Sequence, residues 1–166
     1  MKKHAFGGAL IAAALILLTG ATPLFAHCEI PCGIYGDETR VIMIKEHIAT
    51  IEKSMNKIAE LSTETPANYN QLVRWINNKD DHAEQLQHIV TQYFMTQRLK
   101  PTDVQDGAML QSYTDKLSCL HRMLVYAMKC KQTTDLKHVE TLKKLVDQFH
   151  DLYFDTSAKE HLQKHH

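Results

Sequence analysis

From residue 37 onward the chain repeats one pattern, with apolar side chains three and four positions apart and polar ones between. Val41, Ile44, Ile48, Ile51, Met55 and Ile58 form the first stripe. Such spacing lays one apolar face along an α-helix. Asp37 stands where an N-cap belongs, and Ser62-Thr63-Glu64-Thr65-Pro66 reads as the loop that follows. Thr65 can cap a second helix with Pro66 at its first position. That helix carries Leu72, Ile76, Ala83, Leu86, Val90 and Tyr93 and is expected to end near Lys100-Pro101. A third stripe holds Tyr113, Leu117, Leu120, Leu124 and Met128. Thr133-Thr134 then offers a cap before Leu136, Val139, Leu142, Val146, Phe149 and Tyr153.

No stretch alternates apolar and polar residues with β-branched enrichment, so no sheet is predicted. Four helices of roughly 20–30 residues with short connections predict an all-α, up-and-down four-helix bundle. It spans residues 37–155, and residues 156–166 read as a polar, frayed tail. Met43, Met55, Met123, Met128 and Trp75 are read as packing.

Residues 1–26 have a different character. Lys2 and Lys3 form a short basic start, Ala5 to Ala21 is an apolar run broken by glycines and Thr19, and Thr22-Pro23-Leu24-Phe25-Ala26 is a more polar exit. This is the layout of a secretory signal peptide, and no second apolar run follows to make a stable membrane span. Cleavage is expected after Ala26, with cleavage after Ala21 or an uncleaved anchor as alternatives. The mature protein is then exported, to the periplasm or the extracellular space.

Charge narrows the partners. Lys and Arg total 19, as do Asp and Glu, and loss of Lys2 and Lys3 leaves the mature chain slightly acidic. Nothing in that balance supplies the basic face that nucleic acid requires.

Four cysteines in an exported protein suggest two disulfides. Cys119 and Cys130, however, lie on one helical segment about 16 Å apart at 1.5 Å per residue. That exceeds disulfide reach, so they are read as buried free thiols.

Cys28 and Cys32 belong instead to the segment His27-Cys28-Glu29-Ile30-Pro31-Cys32-Gly33-Ile34-Tyr35. If cleavage follows Ala26, His27 offers its α-amine and its imidazole. Cys28 offers a thiolate and its own amide nitrogen, and Cys32 a second thiolate. The amine, the amide and the two sulfurs can lie in one plane, with the imidazole on the axis. Structural zinc prefers a tetrahedron, whereas a planar set suits Ni(II) or Cu(II). Thiolates and an anionic amide also stabilise a higher oxidation state, which favours nickel. Pro31 restricts the chain so that Cys32 can turn back, and Gly33 relaxes the backbone beside it. Spacing alone leaves two other readings open: a small Cys28–Cys32 disulfide loop, and a metal clip without catalytic meaning.

The segment closely resembles the nickel hook at the mature N-terminus of nickel superoxide dismutases, whose pattern is His-Cys-x-x-Pro-Cys-Gly-x-Tyr. All fixed positions match, and a helical bundle of this size is similar to the family's fold. The resemblance implies disproportionation of superoxide to dioxygen and hydrogen peroxide by Ni(II)/Ni(III) cycling, one nickel per subunit, and a homohexamer. It implies ligation by His27 through amine and imidazole, by Cys28 through amide and sulfur, and by Cys32 through sulfur. Tyr35 matches the tyrosine over the open axial face, where it orders superoxide or water, and the Ile30-Pro31 bond is expected to be cis.

Glu29 stands where many members have Asp. The family orients its histidine ring through a carboxylate on the first helix and an arginine beyond it. Arg74 is matched to that arginine, while an ungapped count puts Met43 at the carboxylate, with Glu46 one turn away. Many members carry a short propeptide cut by a dedicated protease, so the apolar leader here departs from the pattern and points to signal peptidase.

The rival readings are an exported nickel- or copper-binding helical protein without turnover, and a structural bundle with a Cys28–Cys32 disulfide. His47, His82, His88, His121, His138 and His150 are scattered and carry no metal spacing. His161, His165 and His166 read as a solvated tail able to bind adventitious metal.

Overall fold

The computed structural model describes residues 36–102 and 106–163, with side chains as far as residue 154. The leader, the segment 27–35 and residues 164–166 lie outside the described residues.

Four helices form, and no strand is present among the described residues. Helix α1 is Asp37–Leu61 and α2 is Tyr69–His88. The chain continues from α2 without a break as a π-helical segment, Ile89–Arg98. Helix α3 is Gly107–Gln132 and α4 is Lys137–Gln163. Each helix packs against its neighbour in sequence, and α1 closes the ring against α4. This is the expected up-and-down four-helix bundle.

The first stripe is the core face of α1, with Val41, Ile44, Ile48, Ile51 and Met55 almost fully covered. Ala83, Leu86, Val90 and Tyr93 face it from α2 and the π segment, and Val139, Leu142, Leu145, Val146 and Phe149 from α4. Phe94 anchors one end of the core, edge-on to Phe149 at 4.9 Å between ring centroids and to Tyr153 at 5.7 Å.

Several local expectations are corrected. Asp37 is the first helical residue of α1, and Gly36 caps the helix without a side-chain bond. Helix α2 begins at Tyr69, where Asn68 accepts a hydrogen bond from the Gln71 amide (3.2 Å), so Thr65 and Pro66 remain in the loop. Before α4, Asp135 makes the turn by accepting from the Lys137 amide (3.0 Å), while Thr133 accepts from Asp135 (3.3 Å). In the last two cases an Asx carboxyl or amide competes successfully with a threonine hydroxyl. The backbone of α4 stays helical to Gln163, past residue 155.

The core face of α3 is also rotated. It runs through Cys119, Leu120, Met123, Ala127 and Cys130, and Met128 is 44% exposed. Adjacent positions on a helix differ by about 100°, so a stripe drawn through the bulkiest residues can miss the buried face when that face is built from smaller ones. Ile76 on α2 is likewise 41% exposed.

Candidate metal centre

The two cysteines of α3 are buried free thiols, as the spacing predicts. Burial raises the Cys119 pKa and pushes the Cys130 thiol up to about 11, against the opposing charge of Lys79. Neither is disposed to become a thiolate ligand. Among the described residues, no three His, Cys, Asp or Glu side chains converge to hold a metal ion.

The chain's other two cysteines are Cys28 and Cys32. They, His27, Glu29 and Tyr35 lie outside the described residues. The chemistry of that donor set would fit nickel once cleavage freed the His27 amine: two soft sulfurs, with that amine, an amide nitrogen and an imidazole close to them in sequence.

Gly36, the first described residue, follows Tyr35 in the chain. Gly36 has φ +83°, and a Cβ added there would stand 2.5 Å from Thr39 Oγ1. Only glycine enters this left-handed turn without strain.

Asp37 follows, and its carboxylate is the most heavily bonded side chain at this end of the bundle. Tyr93 donates its hydroxyl to Oδ1. On Oδ2, Tyr153 donates its hydroxyl at 2.7 Å, Arg98 Nη2 at 2.6 Å and Arg98 Nε at 3.1 Å. Burial acts to raise the Asp37 pKa, but the hydrogen bonds from both tyrosines and Arg98, with the guanidinium charge, outweigh it and hold the carboxyl below its usual value. Both phenols move the other way, to about 12, through burial and their bonds to Asp37.

One turn further, Arg40, Met43 and His47 of α1 line a cleft of about 410 Å³ with Glu84, Gln85 and His88 of α2. Arg40 Nη1 lies 3.5 Å from Met43 Sδ, and its guanidinium sits over the Tyr93 ring at 5.1 Å. Arg74 is exposed on α2 and Glu46 is exposed on α1, and neither lines this cleft. The arginine and carboxylate that do so are Arg40 and Glu84. Glu84 also pairs with Lys131 at 2.5 Å.

At the same place His47 and His82 meet, Nδ1 to Nδ1, at 2.9 Å. One ring donates and the other must accept, so the pair holds at least one neutral imidazole. Burial, then the neighbouring His82 charge, lowers the His47 pKa, with Glu46 opposing. No sequence signal announces this pair, because its members are 35 positions apart on different helices.

The family model of nickel-containing superoxide dismutases matches residues 22–157, which takes in the hook and nearly the whole bundle. The chain belongs to this family. This nickel superoxide dismutase converts superoxide to dioxygen and hydrogen peroxide, with nickel as its cofactor. No curated protein and no solved structure matches the chain. The helical architecture of the superoxide dismutase follows from its apolar stripes.

Proposed function

We propose that the working centre is the hook freed by cleavage after Ala26. His27 binds nickel through amine and imidazole, Cys28 through amide nitrogen and thiolate, and Cys32 through thiolate. Tyr35 orders superoxide or water beside the metal. Nickel, when bound, supplies the one-electron redox couple that disproportionation requires. The chain's residues fix the donors, limit access and keep the thiolates coordinated, which protects them from the peroxide produced.

The observation that carries this reading is the burial of Cys119 and Cys130, which leaves Cys28 and Cys32 as the available thiols within a chain whose family requires nickel. Arg40 and Glu84 line the cleft beside Met43, so we assign them a supporting role there, while Arg74 keeps the role that the resemblance gives it.

The enzyme is further proposed to be exported to the periplasm or extracellular space, matured by signal peptidase, and assembled as a homohexamer. The leader's three-part layout supports the first two. Among the described residues no helix is long and apolar enough to cross a membrane. The exposed stripe of Tyr69, Val73 and Ile76 on α2 supports assembly, since side chains at this spacing share one face left uncovered by the bundle.

The test is N-terminal sequencing of the mature protein, with nickel analysis and superoxide decay measured on the same sample. His27 as first residue, about one nickel per chain and catalysed decay are expected. Residues retained ahead of His27 in an active enzyme would overturn the reading, because the amine could not then be a ligand.

A further inference from the structure

The carboxylate of Asp37 is the residue at the root of the hook that the reaction has not yet used. A helix of this length would ordinarily take Asp at its start as a cap for its own amides. Here it does not. Its side chain, 15% exposed, turns away from α1 and accepts from Tyr93, Arg98 and Tyr153, which belong to the π segment and α4.

The π segment explains how these donors converge. Tyr93 and Arg98 are five residues apart, which in an α-helix would separate them by about 140° at 100° per residue. Bonding between residues i and i+5 brings such positions to one side. That bonding is visible in Leu99 N to Phe94 O at 2.8 Å, and the Thr96 hydroxyl and the Gln97 side-chain amide reach the carbonyl oxygens of Thr91 and Gln92, each five residues back. The widened helix thus presents a phenol and a guanidinium to one carboxylate. Phe94, fully buried between Phe149 and Tyr153, holds the rings in place.

Asp37 is separated from Tyr35 by Gly36 alone, and Gly36 is locked in a left-handed turn that no larger residue enters cheaply. The direction in which the chain leaves α1 is therefore set by two adjacent residues, one by conformation and one by four hydrogen bonds.

We propose that Asp37 is a positioning residue for the hook: the Asp37–Tyr93–Arg98–Tyr153 node fixes the start of α1, and with it the point at which residues 27–35 are tethered to the bundle. The proposal rests on the reading of residues 27–35 as the metal site. Asp37 touches neither metal nor substrate and acts through the chain it anchors.

The experiment compares Asp37→Asn and Tyr153→Phe in the mature holoenzyme with Leu142→Ala, which weakens the core of α4 away from this node. Three quantities are read: melting temperature, the rate of nickel release to a chelator, and amide hydrogen exchange of residues 33–36 with and without metal. Asp37→Asn is expected to release nickel about tenfold faster, as removal of an outer partner of a metal site does, and to speed exchange at residues 33–36. Tyr153→Phe moves both in the same direction by less and carries the comparison should Asp37→Asn fail to fold. Leu142→Ala lowers the melting temperature but changes neither.

Unchanged nickel release and exchange in Asp37→Asn and Tyr153→Phe would overturn the proposal, as would equal changes in Leu142→Ala. A wild-type mature protein that binds no nickel would refute the hook as metal site, and exchange in the metal-free protein would still decide whether Asp37 orders the exit of the chain.

Discussion

The ammonium of Lys79 on α2 lies 2.8 Å from the carbonyl oxygen of Cys130 at the end of α3. It also reaches the Lys131 carbonyl at 2.5 Å and Asp80 at 2.8 Å, and the residue is only 3% exposed. The last carbonyls of a helix have no partner within it, and a cation there meets both the open acceptors and the negative end of the helix dipole. Lys79 thus ties α2 to the end of α3. Lys79→Met keeps most of the side chain's bulk and strands two carbonyls. A loss of about 2 kcal/mol in urea unfolding is expected, within the range for charge-assisted bonds, with nickel content unchanged.

Gly36→Ala should cost about 1–2 kcal/mol, the usual penalty for a left-handed L-residue, and more if Thr39 cannot move. Thr39→Ala in the same background relieves the contact at 2.5 Å but not the backbone strain. Thermal unfolding of the single and double variants is expected to show partial recovery.

Thiol accessibility separates the two cysteine pairs. In the metal-free, reduced mature protein, an alkylating reagent is expected to modify Cys28 and Cys32 quickly. Cys119 and Cys130 should react only on denaturation, because burial raises their pKa values and covers the sulfurs. Mass spectrometry of the peptides checks this. Cys130→Ser places a hydroxyl in the core at a cost of about 1–3 kcal/mol.

The His47–His82 contact makes stability depend on pH in a defined direction. The folded protein holds the His47 pKa below its ordinary value of 6.5, so the unfolded chain takes up a proton first as pH falls. The contribution is complete above 6.5 and is lost as pH falls through the lower folded value. Stability should therefore decline on acidification from pH 7, and His47→Gln should flatten that decline. Urea unfolding between pH 7.5 and pH 5, values chosen to bracket the imidazole range, measures the difference.

Ile76→Lys puts a charge into the exposed α2 stripe without disturbing the core. If that stripe is an interface, the variant sediments as a smaller species than the wild type while keeping its helical content.

The fold of this protein and its family were legible by different routes. The stripe of α1 was readable because large aliphatic side chains at helical spacing have one energetically sensible destination, out of water. The family was readable because its motif, His27-Cys28-Glu29-Ile30-Pro31-Cys32-Gly33-Ile34-Tyr35, lies within one short stretch of chain and needs no distant partner to be recognised. The rotated face of α3 was not, since Ala127 and the two cysteines give a weak periodic signal beside Leu117, Leu124 and Met128.

Sequence by itself thus determined the all-α bundle, the free thiols of Cys119 and Cys130, and the nickel-binding family. Only the tertiary structure decided that Asp37 abandons its own helix for Tyr93, Arg98 and Tyr153, that His47 meets His82, and that Lys79 closes α3. The reason is physical: periodicity and adjacent donors are properties of a local stretch of chain. A carboxylate's choice among donors 56, 61 and 116 positions away is made by packing, which no local stretch contains.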